Sequence, residues 1–185
     1  NPVVISGVSN DFGVTNRLSF YNRLYKYPNG SYGTPLRAAT ESVGQYFTRT
    51  DANGPWSNVI GDSSQGQASC RQNYHILMTD GYWNGGGSGR GNSDGTNGSV
   101  MTAANGDTFR YTTTATYSTT TAPGGGTVST TTPGLQYADN NSDTLADVAM
   151  YYWKNDLRPD WGVSKKNVPV NSRDPAFWQH VVMYT

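Results

Sequence analysis

Apolar positions along the chain fall into short runs and helical stripes separated by long polar stretches. Val3-Val4-Ile5-Ser6-Gly7-Val8 is a β-branched run closed by a polar turn, which predicts a strand. From Thr15 onward, Leu18, Tyr21, Leu24 and Tyr25 recur at helical spacing until Tyr27-Pro28-Asn29-Gly30 stops the pattern. Gly33-Thr34-Pro35-Leu36 places a hydroxyl residue at the N-cap and proline at the first helical position. A second helix therefore starts with Thr34 as its cap and presents Leu36, Ala39, Val43, Tyr46 and Phe47 on one face. Tyr74 to Met78 is a near-continuous apolar run, the pattern of a strand buried on both faces of a parallel sheet, and it ends at Thr79-Asp80-Gly81. Leu145, Val148, Ala149, Tyr152 and Trp153 share a face of a third helix, which Asp143 or Thr144 caps and Pro159 prevents from continuing. Phe177 to Tyr184 reads as a final apolar strand. This order predicts an α/β domain with a mostly parallel sheet flanked by helices.

Composition changes that picture in one place. Residues from about 85 to 142 carry glycine clusters and the Thr/Ser-rich stretch Tyr111 to Thr132, with few charges. They read as a long Gly/Thr-rich insertion in a core formed by about 1–84 and 143–185, and the Thr-rich parts suit either β-hairpin strands on the surface or a mobile low-complexity stretch. Over all 185 residues, 35% are hydrophobic and 14% charged, with 22 Gly and 13 Tyr, a balance that suits an exported protein better than a cytosolic enzyme. Thirteen basic residues offset thirteen acidic ones, so no overall field steers the chain to nucleic acid. No apolar run approaches the roughly 18 residues of a membrane-spanning helix. Cys70 is the single cysteine, so its partner, if it has one, lies outside this chain.

Ligands of open α/β sheets bind where strand carboxyl ends and helix N-termini converge, and both Thr34 and Asp80 fall at such positions. A hydroxyl and a carboxylate are hard oxygen ligands suited to Mg²⁺, Mn²⁺ or Ca²⁺. Gly33-Thr34-Pro35-Leu36 and Leu77-Met78-Thr79-Asp80-Gly81 resemble the threonine and aspartate loops of the metal-ion-dependent adhesion site in von Willebrand factor A domains. Longer stretches resemble the PilY family of type IV pilus tip adhesins and biogenesis factors. They include Gly54-Pro55-Trp56, Ser69-Cys70-Arg71-Gln72, Ile76 to Trp83, Thr144 to Trp153, Asp156 to Asp160 and Asp174 to His180.

The resemblance implies a von Willebrand factor A-like, Rossmann-like fold and a surface or pilus-tip location outside the bacterial cell. It implies adhesion to host or abiotic surfaces, with minor pilins or pilus-tip proteins and the remainder of the protein's own chain as partners. The metal residues it implies are Thr34 and Asp80, with Tyr82 and Trp83 bordering them as ligand-binding residues. The Asp-x-Ser-x-Ser element that opens the family domain is missing from this sequence. The expected domain is accordingly incomplete at its N-terminus, and a divalent cation belongs to the intact domain, weakly held or absent when Thr34 and Asp80 act alone. The alternative is a structural component of the pilus tip that contacts minor pilins without metal.

Other chemistry is weaker. Asn92, Asp94, Thr96 and Asn97, and again Asp139, Asn141 and Asp143, resemble parts of a calcium loop. Neither has glycine at the sixth position and glutamate at the twelfth, so turns and a helix cap are expected there. His75 and His180 fall on predicted strands as packed rings, and no nucleophile-elbow sequence accompanies them, so no enzyme is expected.

Overall fold

The computed structural model describes residues 14–26, 33–113, 116–121, 127–132 and 138–185, so the strand expected at Val3 to Val8 lies outside the described residues. Along the chain run α1 (Val14–Lys26), α2 (Leu36–Phe47), β1 (Tyr74–Ile76), β2 (Met101–Thr102), β3 (Thr108–Phe109), β4 (Thr116–Thr121), β5 (Thr127–Thr132), α3 (Leu145–Lys154) and β6 (Val182–Tyr184). The fold is mixed α/β with a small parallel sheet, β1 beside β6, in the register Tyr74 to Val182. Two antiparallel pairs, β2–β3 and β4–β5, complete the strands among the described residues, and the second takes the hairpin alternative for the Thr-rich stretch.

Helix α3 organises the interior. Thr144 is its N-cap: the Thr144 hydroxyl accepts from the Asp147 N–H and the Asp147 carboxylate accepts from the Thr144 N–H, a reciprocal capping box. Asp143 sits one residue earlier with a positive φ of 59°. Val148 and Tyr152 of α3 pack with Trp56, Leu157 and Val181 in one apolar cluster. Trp153, on the neighbouring stripe, packs against a second cluster of Met101, Ala103, Phe109, Ala176, Phe177 and Trp178. Several core residues therefore come from the stretch of unusual composition. The Trp56 indole also donates to the Phe47 carbonyl at 2.8 Å, which fixes the end of α2 to the core.

Four expectations are corrected. Pro35, not Thr34, occupies the cap position of α2, and no side chain caps that helix; the Thr34 carbonyl is already shared by the N–H groups of Leu36 and Asn84, both at 2.9 Å. The buried residues of α2 are Thr40 and Gly44, not the larger apolar ones, because Gly44 lies against the Tyr152 ring, where an added Cβ would fall 2.1 Å from a ring carbon. The apolar run at Tyr74 is not buried on both faces: Tyr74, Ile76 and Met78 are 52%, 71% and 88% exposed. Among the described residues β1 has one hydrogen-bonded neighbour, and its alternate residues share a bare face. Finally, Phe177 to Val181 is buried but not a strand. Its main-chain groups go to irregular partners: the Phe177 carbonyl accepts from Val168 at 3.0 Å and the Gln179 carbonyl from Leu157 at 2.8 Å.

Helix α1 forms where the periodicity places it, yet Val14, Leu18, Tyr21, Leu24 and Tyr25 are all exposed.

Candidate functional site

The loop that follows β1 folds back onto the start of α2. The Asn84 N–H donates to the Thr34 carbonyl at 2.9 Å, and a Cβ on Gly33 would sit 2.5 Å from the Asn84 amide oxygen, so glycine permits this approach. The fold thus brings together the two loops that carry Thr34 and Asp80. Within the second loop, Thr79 Oγ1 accepts from the Gly81 N–H at 3.1 Å and Asp80 Oδ1 from the Tyr82 N–H at 3.4 Å, while Gly81 takes a φ of 97° that a side chain would strain.

Tyr82 and Trp83 are 85% and 53% exposed, so both present their rings to solvent beside Asp80. Arg37, in the first turn of α2, holds this surface in place. Its guanidinium lies 4.2 Å from the Trp83 ring centroid, donates from Nη2 to the Gly85 carbonyl at 2.8 Å, and donates from Nη1 to the Asp143 carbonyl at 2.9 Å. Nothing in the sequence marked Arg37, because its three partners lie 46 to 106 positions away and meet only in the fold.

Thr34 and Asp80 supply one hydroxyl and one carboxylate. A hard divalent cation draws about six to eight oxygens, and among the described residues no three His, Cys, Asp or Glu side chains form a group that could hold a metal. The described part of this junction therefore does not make a complete metal site. What it does offer is a solvent-facing aromatic pair on a pinned loop.

The two histidines differ in their surroundings, since the buried Nδ1 of His75 has no hydrogen-bond partner whereas His180 is bonded through both ring nitrogens. Buried His180 sets Nδ1 2.7 Å from the Trp178 carbonyl and Nε2 3.0 Å from Asp174 Oδ2. Burial raises the Asp174 carboxyl, but the hydrogen bonds from His180 and the Trp153 indole outweigh it and hold the group below its ordinary value. His75 is pushed down by burial. Cys70 is exposed and has no disulfide partner.

No family profile matches the chain, and no solved structure matches it at a significant level. Curated relatives do. Over 95% of its length the chain is 37% identical to the type IV pilus biogenesis factor PilY1 of Pseudomonas aeruginosa strain PAK, and 38% identical to the protein of the same name from strain PAO1. A third, from strain UCBPP-PA14, is 32% identical over 94% of the chain. The chain spans 13–14% of the length of these relatives.

Proposed function

The chain is related over almost its whole length to one segment of the PilY proteins, and on that premise we propose that it is a module of a type IV pilus biogenesis factor. In this reading it works outside the cell at the pilus tip, where the Asp80–Trp83 loop makes a protein contact with a minor pilin, another tip protein or a surface ligand. The observation that carries the reading is the similarity along 95% of the chain. The exposed Tyr82–Trp83 pair supports the choice of surface, since aromatic anchors on ordered loops supply much of the energy of protein interfaces. A von Willebrand factor A-like fold is the finer proposal: a helix start and the carboxyl end of a parallel strand meet at this junction, as ligand sites of such sheets require.

A second reading rests on the proximity of the Thr34 and Asp80 loops. It has them hold a divalent cation, Mg²⁺, Mn²⁺ or Ca²⁺, once oxygens from elsewhere in the protein complete the shell, and it makes adhesion metal-dependent. The two readings separate in the full-length protein. Trp83→Ala is expected to weaken pilus-dependent attachment about tenfold, equivalent to ~1.4 kcal/mol at one aromatic anchor. Attachment and pilus assembly unchanged by Trp83→Ala and Tyr82→Ala together would sink the contact proposed here. Attachment lost both with a chelator and with Asp80→Ala, with folding intact, favours the cation.

A further inference from the structure

Two loops that each resemble half of a calcium site are joined by the fold. Residues 91–97 and 138–144 meet beside the start of α3. Asn92 Nδ2 donates to the Asp139 carbonyl at 2.8 Å, and the Asp139 N–H points to Asp94 Oδ1 at 3.5 Å. Gly91 and Asp143 are linked twice, the Asp143 N–H to the Gly91 carbonyl at 3.0 Å and the Gly91 N–H to Asp143 Oδ1 at 2.8 Å.

Asp94 lies at the centre of this junction and is wholly buried. Its Oδ2 has neither solvent nor a hydrogen-bond donor. A buried carboxylate oxygen left in that state is costly, so the site lacks a positive partner. A second carboxylate makes the deficit larger: Asp147 is also wholly buried and accepts from the Asp94 N–H at 3.2 Å, while on the other side only the main-chain N–H of Asp139 faces Asp94. The nearby cation is Lys154, and its ammonium is committed to the carbonyls of Ser93 and Thr96 and to the Thr96 hydroxyl. Two buried carboxylates, Asp94 and Asp147, beside one ammonium leave a negative deficit that a cation would offset.

We infer that the junction of the 91–97 and 138–144 loops is a calcium-type cation site, with Asp94 and Asp139 as its charged ligands and Asn92 and loop carbonyls completing the shell. Fewer than three acidic side chains converge there, so most of the oxygens come from amide and main-chain groups, as calcium readily accepts. The Asp139 carboxylate is held at the rim by the Asn141 N–H at 2.6 Å and Asn141 Nδ2 at 3.1 Å, so binding requires it to turn toward Asp94. The site is separate from Thr34 and Asp80, and its existence does not depend on the pilus reading.

Terbium(III) titrated into the full-length protein tests it directly. Tyr111, whose hydroxyl donates to the Asp94 carbonyl at 3.0 Å, should sensitise the bound ion, and calcium should displace it. Asp94→Asn keeps the shape and removes the charge, and is expected to weaken this binding on the order of tenfold or more. If that variant does not fold, Asp139→Asn at the exposed rim tests the same claim. Hydrogen exchange locates the effect: calcium should slow exchange in 91–97 and 138–144 together in the parent and not in the variant. Unchanged exchange in both loops at millimolar calcium would overturn the inference, and Asp94 would then be a protonated acid sharing its hydrogen with Asp147.

Discussion

The segment from Arg90 to Asn97 is tied to the helices at two points, and the two ties are built on opposite principles. At Arg90 the charges close on themselves. Its guanidinium pairs with Glu41 of α2 through two hydrogen bonds, donates to the Tyr152 hydroxyl at 2.8 Å, and lies 3.9 Å from the Tyr151 ring centroid, while Tyr152 donates back to Glu41 at 2.8 Å. Burial works against the Glu41 carboxylate, yet the bonds from Arg90, Tyr152 and Gln45 more than offset it and hold the group below its ordinary value. Burial and the same carboxylate push the Tyr152 hydroxyl up. Four residues later, at Asp94, a buried carboxylate oxygen has no donor at all. One stretch of chain thus carries a satisfied cluster, which fixes position, and an unsatisfied one, in which a buried oxygen lacks a counterpart. Burial is common to both; completeness of the charge partners separates them.

The difference can be broken most strongly at the closed cluster. Arg90→Ala leaves Glu41 without its cation in a largely buried setting and should cost about 2–3 kcal/mol in urea unfolding. Gly44→Ala attacks the packing under that cluster, where the new methyl meets the Tyr152 ring, and should cost about 1–3 kcal/mol in the same measurement. A smaller effect sharpens the comparison through pH, in chelator-treated protein. Glu41 is held low, so its contribution is present above its ordinary value of 4.5 and is lost as the pH falls through the folded value. Asp94 is held high, so the native state binds its proton more tightly and stability falls as the pH rises through the folded value. Asp94→Asn should remove that second slope and leave the acid limb of Glu41 in place, as read from unfolding midpoints across the acid range.

Much of the fold could be read from local pattern. The stripes of α1, α2 and α3 fall where periodicity places them, and Thr144-x-x-Asp147 is a capping signature in the sequence itself. Burial was harder to read, because it depends on what lies opposite. Tyr74 to Met78 carries the apolar run of a covered strand while three of its five residues are exposed, and Gly44 is buried because a tyrosine from α3 lies over it. The site divides in the same way. The Thr34 and Asp80 loops carry short motifs and were legible by resemblance, and Arg37 carries none. The oxygen-bearing residues near Asn92 and Asp139 were visible as two fragments 47 positions apart, and only tertiary structure sets them side by side.

The parallel pairing of β1 with β6 joins residues about a hundred positions apart, with almost the whole of the core between them. Closing so large a loop carries a heavy entropic cost before any pairing rewards it, and topologies dominated by such contacts fold slowly. The sheet therefore cannot form before the segment that holds Val182 to Tyr184 is made. Until Val182 to Tyr184 has been synthesised, Tyr74 to Ile76 has no β6 to pair with and is open to adhesion with other chains.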